Sequence, residues 1–176
     1  MPRPSESDLS LLKRLQSGDR TAVADLYDRH FDHLYSLVVN LVDGEQRTAE
    51  EIVQETLLTA IRSAKRFHGQ SSIYIWLCSI AYQKLVEHHR PREHKHTVSG
   101  PDVHATDAAV DTRWAVNLAL EKLPPDYRQV LVLKYVEGMS IQEVAEIIHR
   151  SPKATDDLLT RARQALQSHL AEVQEG

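Results

Sequence analysis

Cysteine is almost absent from this chain. Cys78 is the only one in 176 residues, which excludes an internal disulfide and a cysteine-only metal site. Long apolar runs are missing too. The best stretch, Leu34 to Val42, is interrupted by Ser36 and Asn40 and falls far short of the roughly 18 to 20 residues that span a bilayer. The N-terminal MPRPSESD has no apolar signal-peptide core. Alternating apolar and polar runs with hairpin punctuation are absent, so strands are not needed, and there is no internal repeat. These absences exclude an integral membrane protein, a disulfide scaffold and a secreted enzyme. The expected location is the reducing cytoplasm.

What is present suits buried cores: 41% of residues are hydrophobic and 26% charged, in a length that fits one ordinary domain or two small ones. The formal charge of -4 rules out a uniformly basic nucleic-acid coat. The charges are unevenly distributed, however. Between Asp43 and Leu58, Asp43, Glu45, Glu50, Glu51 and Glu55 face only Arg47. From Thr59 to Thr97, Arg62, Lys65, Arg66, Lys84, Arg90, Arg92 and Lys95 outnumber Glu87 and Glu93. An acidic block followed by a basic one is either two faces for two partners or a pair of solvated helix faces.

Helical periodicity runs through the chain. A short helix is expected over about Asp8 to Gln16. Leu26, Tyr27, His30, Phe31, Leu34, Tyr35, Val38, Leu41 and Val42 then form one apolar stripe on a long helix ending near Gly44. Thr48 with Glu51 has the pattern of a capping box, and Val53, Leu57, Ala60, Ile61 and Ala64 form the stripe of the helix it opens. A polar break, His68 to Ser72, leads to a helix carrying Trp76, Leu77, Ile80, Ala81, Leu85 and His88, stopped at Arg90-Pro91. Residues 91–110, rich in proline, small and polar side chains, are a linker.

A second helical unit begins near Asp111, with Trp114, Leu118 and Leu123 inward. Pro124-Pro125 turns the chain into a helix over Tyr127 to Val136, closed by Gly138. Ser140-Ile141-Gln142-Glu143 is a capping box opening a short helix with Ile141, Val144, Ala145 and Ile148 inward. After a tight break at His149-Arg150, Ser151 caps the last helix with Pro152 at its first position. Leu159, Ala162, Leu166 and Leu170 continue its apolar stripe. Two helices joined by so short a turn fit a DNA-binding helix-turn-helix, or a hairpin that merely packs. The fold class is all-α: two small helical domains, 1–90 and 111–176, on a flexible tether.

The segment ALEKLPPDYRQVLVLKYVEGMSIQEVAEII, Ala119 to Ile148, with TRARQAL, Thr160 to Leu166, resembles promoter-binding region 4 of bacterial RNA polymerase sigma factors. GDRTAVADLYDRHFDHLYSLV, TAEEIVQETLLTA and the WL..IA pattern at Trp76 to Ala81 are similar to region 2 of the same family. The order and linker match the small extracytoplasmic-function (ECF) group of the sigma-70 superfamily over nearly the whole chain.

The resemblance implies a stress-response transcription factor that binds core RNA polymerase, through the clamp helices of its largest subunit and its flap, and promoter DNA. It also implies an anti-sigma partner, no cofactor and no membrane insertion. The docking residues would be Glu50, Glu51, Val53, Gln54 and Glu55. A loop from Gly69 to Ile75 and a helix from Trp76 would hold the melted minus-ten strand, with Ser71, Ser72, Tyr74 and Gln83 near bases and Lys84 and Arg90 near phosphates. Strand capture of this kind needs base pockets and cations, not covalent chemistry. Trp76 reads as core.

Lys153, Thr155, Asp156, Asp157, Arg161 and Arg163, at the start of the last helix, would face the minus-thirty-five element. Here the chain departs from the family, whose members typically carry lysine, serine and arginine where this one has Asp156, Asp157 and Leu158. Carboxylates near phosphates are repelled, and base reading by aspartate is mainly restricted to the cytosine amino group. From Asp111 to Gly176, eight basic residues meet ten acidic ones, a poor balance for a duplex binder. The alternative is therefore a sigma-like regulator that has lost or altered this DNA reading. A second departure is Thr48, where the family often has aspartate. Phosphorylation would restore that charge; an unmodified N-cap is the other reading. Cys78, Ser79 and Tyr82 likewise sit where the third helix is often more basic or aromatic. His88, His89, His94, His96 and His104 lack the spacing of a zinc site, and no nucleophile–base pair or phosphate loop indicates an enzyme.

Overall fold

The computed structural model describes residues 4–42, 44–88, 116 and 118–175, and the chain forms two compact units. All the regular structure among the described residues is helical.

The first unit opens with α1, Glu6–Gln16, capped reciprocally: the Ser5 hydroxyl accepts from the Asp8 amide and the Asp8 carboxylate accepts from the Ser5 amide. Gly18, at φ +81°, makes the turn into α2, Arg20–Leu41, whose N-cap Asp19 accepts from the Thr21 amide. Arg14 ties the two helices together, donating from Nε to Asp19 at 2.8 Å, from Nη2 to the Thr21 hydroxyl and from Nη1 to Asp25. Helix α3 runs Gln46–Ser63 and passes into a 3-10 turn, Ala64–Arg66. Gln16 donates to the carbonyls of Ala64 and Phe67, which pins that turn to α1. Helix α4, Ile73–His88, completes the unit. Leu11, Leu26, Leu34, Leu37, Val38, Val53, Leu77 and Leu85 are its fully enclosed core. Each such side chain contributes roughly 1.5 to 3 kcal/mol of transfer free energy, offset by ordering.

Three details differ from the sequence reading. The α2 stripe is narrower than its apolar positions suggest, because Tyr27 is exposed and Phe31 and Tyr35 only half-buried. Those three rings stack along the helix, with centroids 4.5 and 5.9 Å apart. Helix α3 begins at Gln46 with Glu45 as N-cap, so Thr48 is not its cap; the Thr48 hydroxyl donates to the Glu45 carboxylate at 2.9 Å. Helix α4 starts at Ile73, with the Ser72 hydroxyl accepting from the Ile75 amide, so Tyr74 and Ile75 belong to the helix and not to the loop.

In the second unit, residues 118–121 are helical and lead to buried Leu123. Helix α5, Pro125–Leu131, has proline at its first position and widens into a π turn over Val132–Val136, where the Glu137 amide donates to the Val132 carbonyl. The expected helix over Tyr127 to Val136 is therefore two geometries in series. The buried Arg128 guanidinium donates to the carbonyls of Leu120 and Glu121, so it closes the preceding helical segment; burial lowers its pKa. Gly138, at φ +66°, ends the π turn. Ser140 and Glu143 form the expected capping box at the start of α6, Ile141–Ile147. His149 takes a left-handed φ of 54° in the break, and Ser151 accepts from the Ala154 amide to open α7, Pro152–Glu175. The core here is Leu123, Val130, Leu131, Leu133, Val144, Leu158 and Leu159. Asp111 and Trp114, like the linker 91–110, lie outside the described residues.

Candidate functional site

Helix α3 sorts the expected docking residues by its own geometry. Glu50, Glu51, Gln54 and Glu55 are exposed, in two neighbouring rows at four-residue spacing. Val53 is not among them: it is fully buried, because its position on the helix points into the core beside Leu57 and Ala60. Arg47 pairs with Glu51 at 3.2 Å, an exposed contact worth little. Leu58 extends the Gln54 row by one turn and is 51% exposed, an apolar group on the acidic face that the sequence reading missed. Its place in an apolar-rich stretch, LLTAI, hid it among core residues.

The loop and α4 divide the expected strand-holding residues. Ser71 is enclosed, its hydroxyl without a partner among the described residues, so it faces no strand. Ser72 caps α4. Tyr74 is half-buried, its ring stacked on His33 of α2 at 4.3 Å and 6.3 Å from His30. Gln83 is exposed. Lys84 sits between Glu55 of α3, at 3.7 Å, and Glu87, at 3.4 Å, so two carboxylates already compete for its ammonium. Arg90 lies outside the described residues. Trp76 is half-buried and lies parallel to enclosed Phe67, centroids 4.3 Å apart, in keeping with a core role. Gly69, at φ +70°, lets the loop pass close to α1: a Cβ there would lie 3.3 Å from a Leu9 methyl.

On α7, Lys153, Asp156, Asp157, Arg161 and Arg163 are exposed on the first turns. Thr155 is not. It is fully buried, its hydroxyl donating to the Ser151 carbonyl at 3.0 Å, and it helps to seat the helix start. Leu158, at 2% exposure, is core, which explains an apolar residue at that position. Among the described residues, no group of three potential ligands could hold a metal ion, and no helix is long and apolar enough to cross a membrane.

Two family models match the chain: sigma-70 region 2 over residues 26–94 and sigma-70 region 4 over residues 113–166. Together they span well over half of it. The RNA polymerase sigma-H factor of Pseudomonas aeruginosa is 26% identical, covering 94% of each chain. The ECF RNA polymerase sigma factor SigW of Bacillus subtilis is 27% identical over 92% of this chain and 96% of its own. SigM of Mycobacterium tuberculosis, named likewise, is 29% identical over 93% and 85%. Among solved structures, CnrH in complex with the cytosolic domain of CnrY superposes with a TM-score of 0.71 at 26% identity, over 95% of this chain and 99% of that one. The sigma factor RpoE, in complex with the anti-sigma factor NepR from Bartonella quintana, shares the fold with a TM-score of 0.63. With both family regions matched in order on an all-helical chain, and full-length relatives that are ECF sigma factors, the protein belongs to the extracytoplasmic-function group of the sigma-70 superfamily.

Proposed function

We propose that this sigma factor works through two units with separate tasks: residues 1–90 dock on core RNA polymerase and hold the minus-ten strand, residues 91–110 tether, and residues 111–176 read the upstream element and meet the flap. Glu50, Glu51, Gln54 and Glu55 present two fixed, neighbouring rows of acceptors to cations on the polymerase clamp helices, and Leu58 adds an apolar contact. Such complementarity sets orientation and association rate more than affinity. Ser72, Tyr74 and Gln83 remain the base-side candidates. The exposed carboxylates of α3, projecting from a helix whose opposite side is anchored in the core by Val53, carry this reading.

The solved relatives captured with an anti-sigma factor or a cytosolic partner domain support a similar partner here, one that occludes these faces. The protein acts in the cytoplasm and catalyses no reaction of its own; polymerase supplies the chemistry. On α7, Lys153, Arg161 and Arg163 would contact phosphates, and Asp156 and Asp157 confine base reading to cytosine amino groups or weaken it. Those two exposed carboxylates favour an altered upstream element as the second reading.

Retention on immobilised core polymerase tests the docking. Wild type is retained, Gln54→Ala with Glu55→Gln is retained at least severalfold less at unchanged thermal stability, and Val53→Ala is about 2 kcal/mol less stable because it empties core volume. Failure of wild type to be retained overturns the reading. Run-off transcription with that holoenzyme separates an active promoter reader from a regulator that only binds.

A further inference from the structure

From Thr56 to Val86 the chain contains no acidic residue, and its cations there are Arg62, Lys65, Arg66 and Lys84. The structure separates them into two kinds. Lys84, the one the family resemblance assigns to phosphates, is partly enclosed and bracketed by Glu55 and Glu87. Arg62, Lys65 and Arg66 are exposed and form neither an ion pair nor a hydrogen bond among the described residues. They stand at the end of α3 and in the 3-10 turn, three and four residues apart, which groups them on one side of that turn.

The turn is held firmly. Ala64 and Phe67 give their carbonyls to Gln16, and enclosed Phe67 stacks on Trp76. Chain direction then carries straight from Arg66 into the loop His68 to Ser72. A helix C-terminus accounts for one stabilising cation within its last turn, at a few tenths of a kcal/mol to about one. It does not account for three of them on a pinned support, without a counter-charge among the described residues.

We infer that Arg62, Lys65 and Arg66 form a phosphate-binding ridge that anchors the backbone of the melted promoter strand beside the Gly69 loop, while Lys84 orients Glu55 on the docking face instead of touching DNA. This rests on the reading of the first unit as the polymerase-docking and strand-holding one. The ridge is sequence-independent, since phosphate contacts position a strand and carry no base information. Neighbouring cations at helix spacing, about 5 to 6 Å between Cβ atoms, suit successive phosphates of an extended strand.

The test uses core polymerase reconstituted with the full chain and a labelled bubble DNA of random sequence, with affinity followed between about 50 and 200 mM salt. Three phosphate contacts on a single strand contribute about 2 to the log–log salt slope. Arg62→Gln with Lys65→Gln and Arg66→Gln therefore lowers the slope by about 2, so its deficit against wild type grows by roughly tenfold from the high-salt to the low-salt end. The same variant keeps its retention on core polymerase and its thermal midpoint. Lys84→Gln leaves the slope unchanged. An unaltered slope in the triple variant, or a loss of slope in Lys84→Gln alone, overturns the inference. Failure of the wild-type chain to be retained by core polymerase instead overturns the reading beneath it.

Discussion

Asp19 carries two tasks at once: N-cap of α2 and ion-pair partner of Arg14. The hydrogen bond from Arg14, then those from the Thr21 side chain and amide, hold its pKa down at about 2 against an ordinary 3.8. A carboxylate with a depressed folded pKa contributes stability above the unfolded value and loses it as the pH falls through the folded one. That contribution is therefore complete above about pH 4 and gone near pH 2. Asp19→Asn keeps an acceptor for capping and removes the charge. The variant should melt below wild type at neutral pH, and the two curves should converge near pH 2; curves separated by the same amount at both pH values would exclude the ion pair as the cause. His30 acts in the same direction at a higher pH, since burial pushes its pKa below 6.5 and its Nε2 has no partner among the described residues. Protonation then favours the unfolded chain as the pH drops through that value, with Asp8 of α1 softening the effect and Arg29 and His33 strengthening it.

At the level of elements, the sequence was most legible where caps use short side chains. The Ser140–Glu143 box and the Ser151-Pro152 start stand as the spacing indicates. It was least legible where a cap can form without them: Glu45 begins α3 with no side-chain cap bond, so Thr48, the better capping residue by type, lies inside the first turn. The same limit applies to the site. Family resemblance made Val53, Ser71 and Thr155 contact residues, and burial removed all three, because the local backbone phase and not a motif position decides which side chains meet a partner. Lys84 was lost differently, to counter-charges one of which comes from another helix, Glu55. Ser151 gives a clean measure of the capping argument. Ser151→Ala removes the acceptor for the Ala154 amide, leaves an exposed methyl, and should lower the unfolding free energy of the second unit by about 1 kcal/mol. Ser151→Gly should cost only a few tenths. Equal losses in urea titrations of the two variants would mean that the hydroxyl is not the cap.

For the whole molecule, the useful quantity is where charge sits and not its sum. A net charge of -4 conceals an acidic face on α3 and, at the end of that helix and in the turn after it, cations without counter-charges among the described residues. On the proposed function, polymerase and DNA would then be engaged from one short unit through contacts of opposite sign, without each repelling the other's contact. Steering by such a row acts before contact and is screened over about 8 Å at physiological salt. Replacing Glu50, Glu51 and Glu55 together by glutamine should therefore slow association with core polymerase severalfold at low salt and much less near 0.5 M, with dissociation changed by less. Thr48 joins the same argument. Its hydroxyl now donates to Glu45, and a phosphate there would replace a donor with about 1.5 to 2 negative charges one turn before the row of Glu51 and Glu55. If a kinase uses this position to promote docking, Thr48→Asp must associate faster than Thr48→Ala at low salt, and the difference must vanish on raising it. Identical rates, or slower association of Thr48→Asp through repulsion from Glu45 and Glu51, would leave Thr48 as a structural hydroxyl and the carboxylates of α3 as the whole of the steering charge.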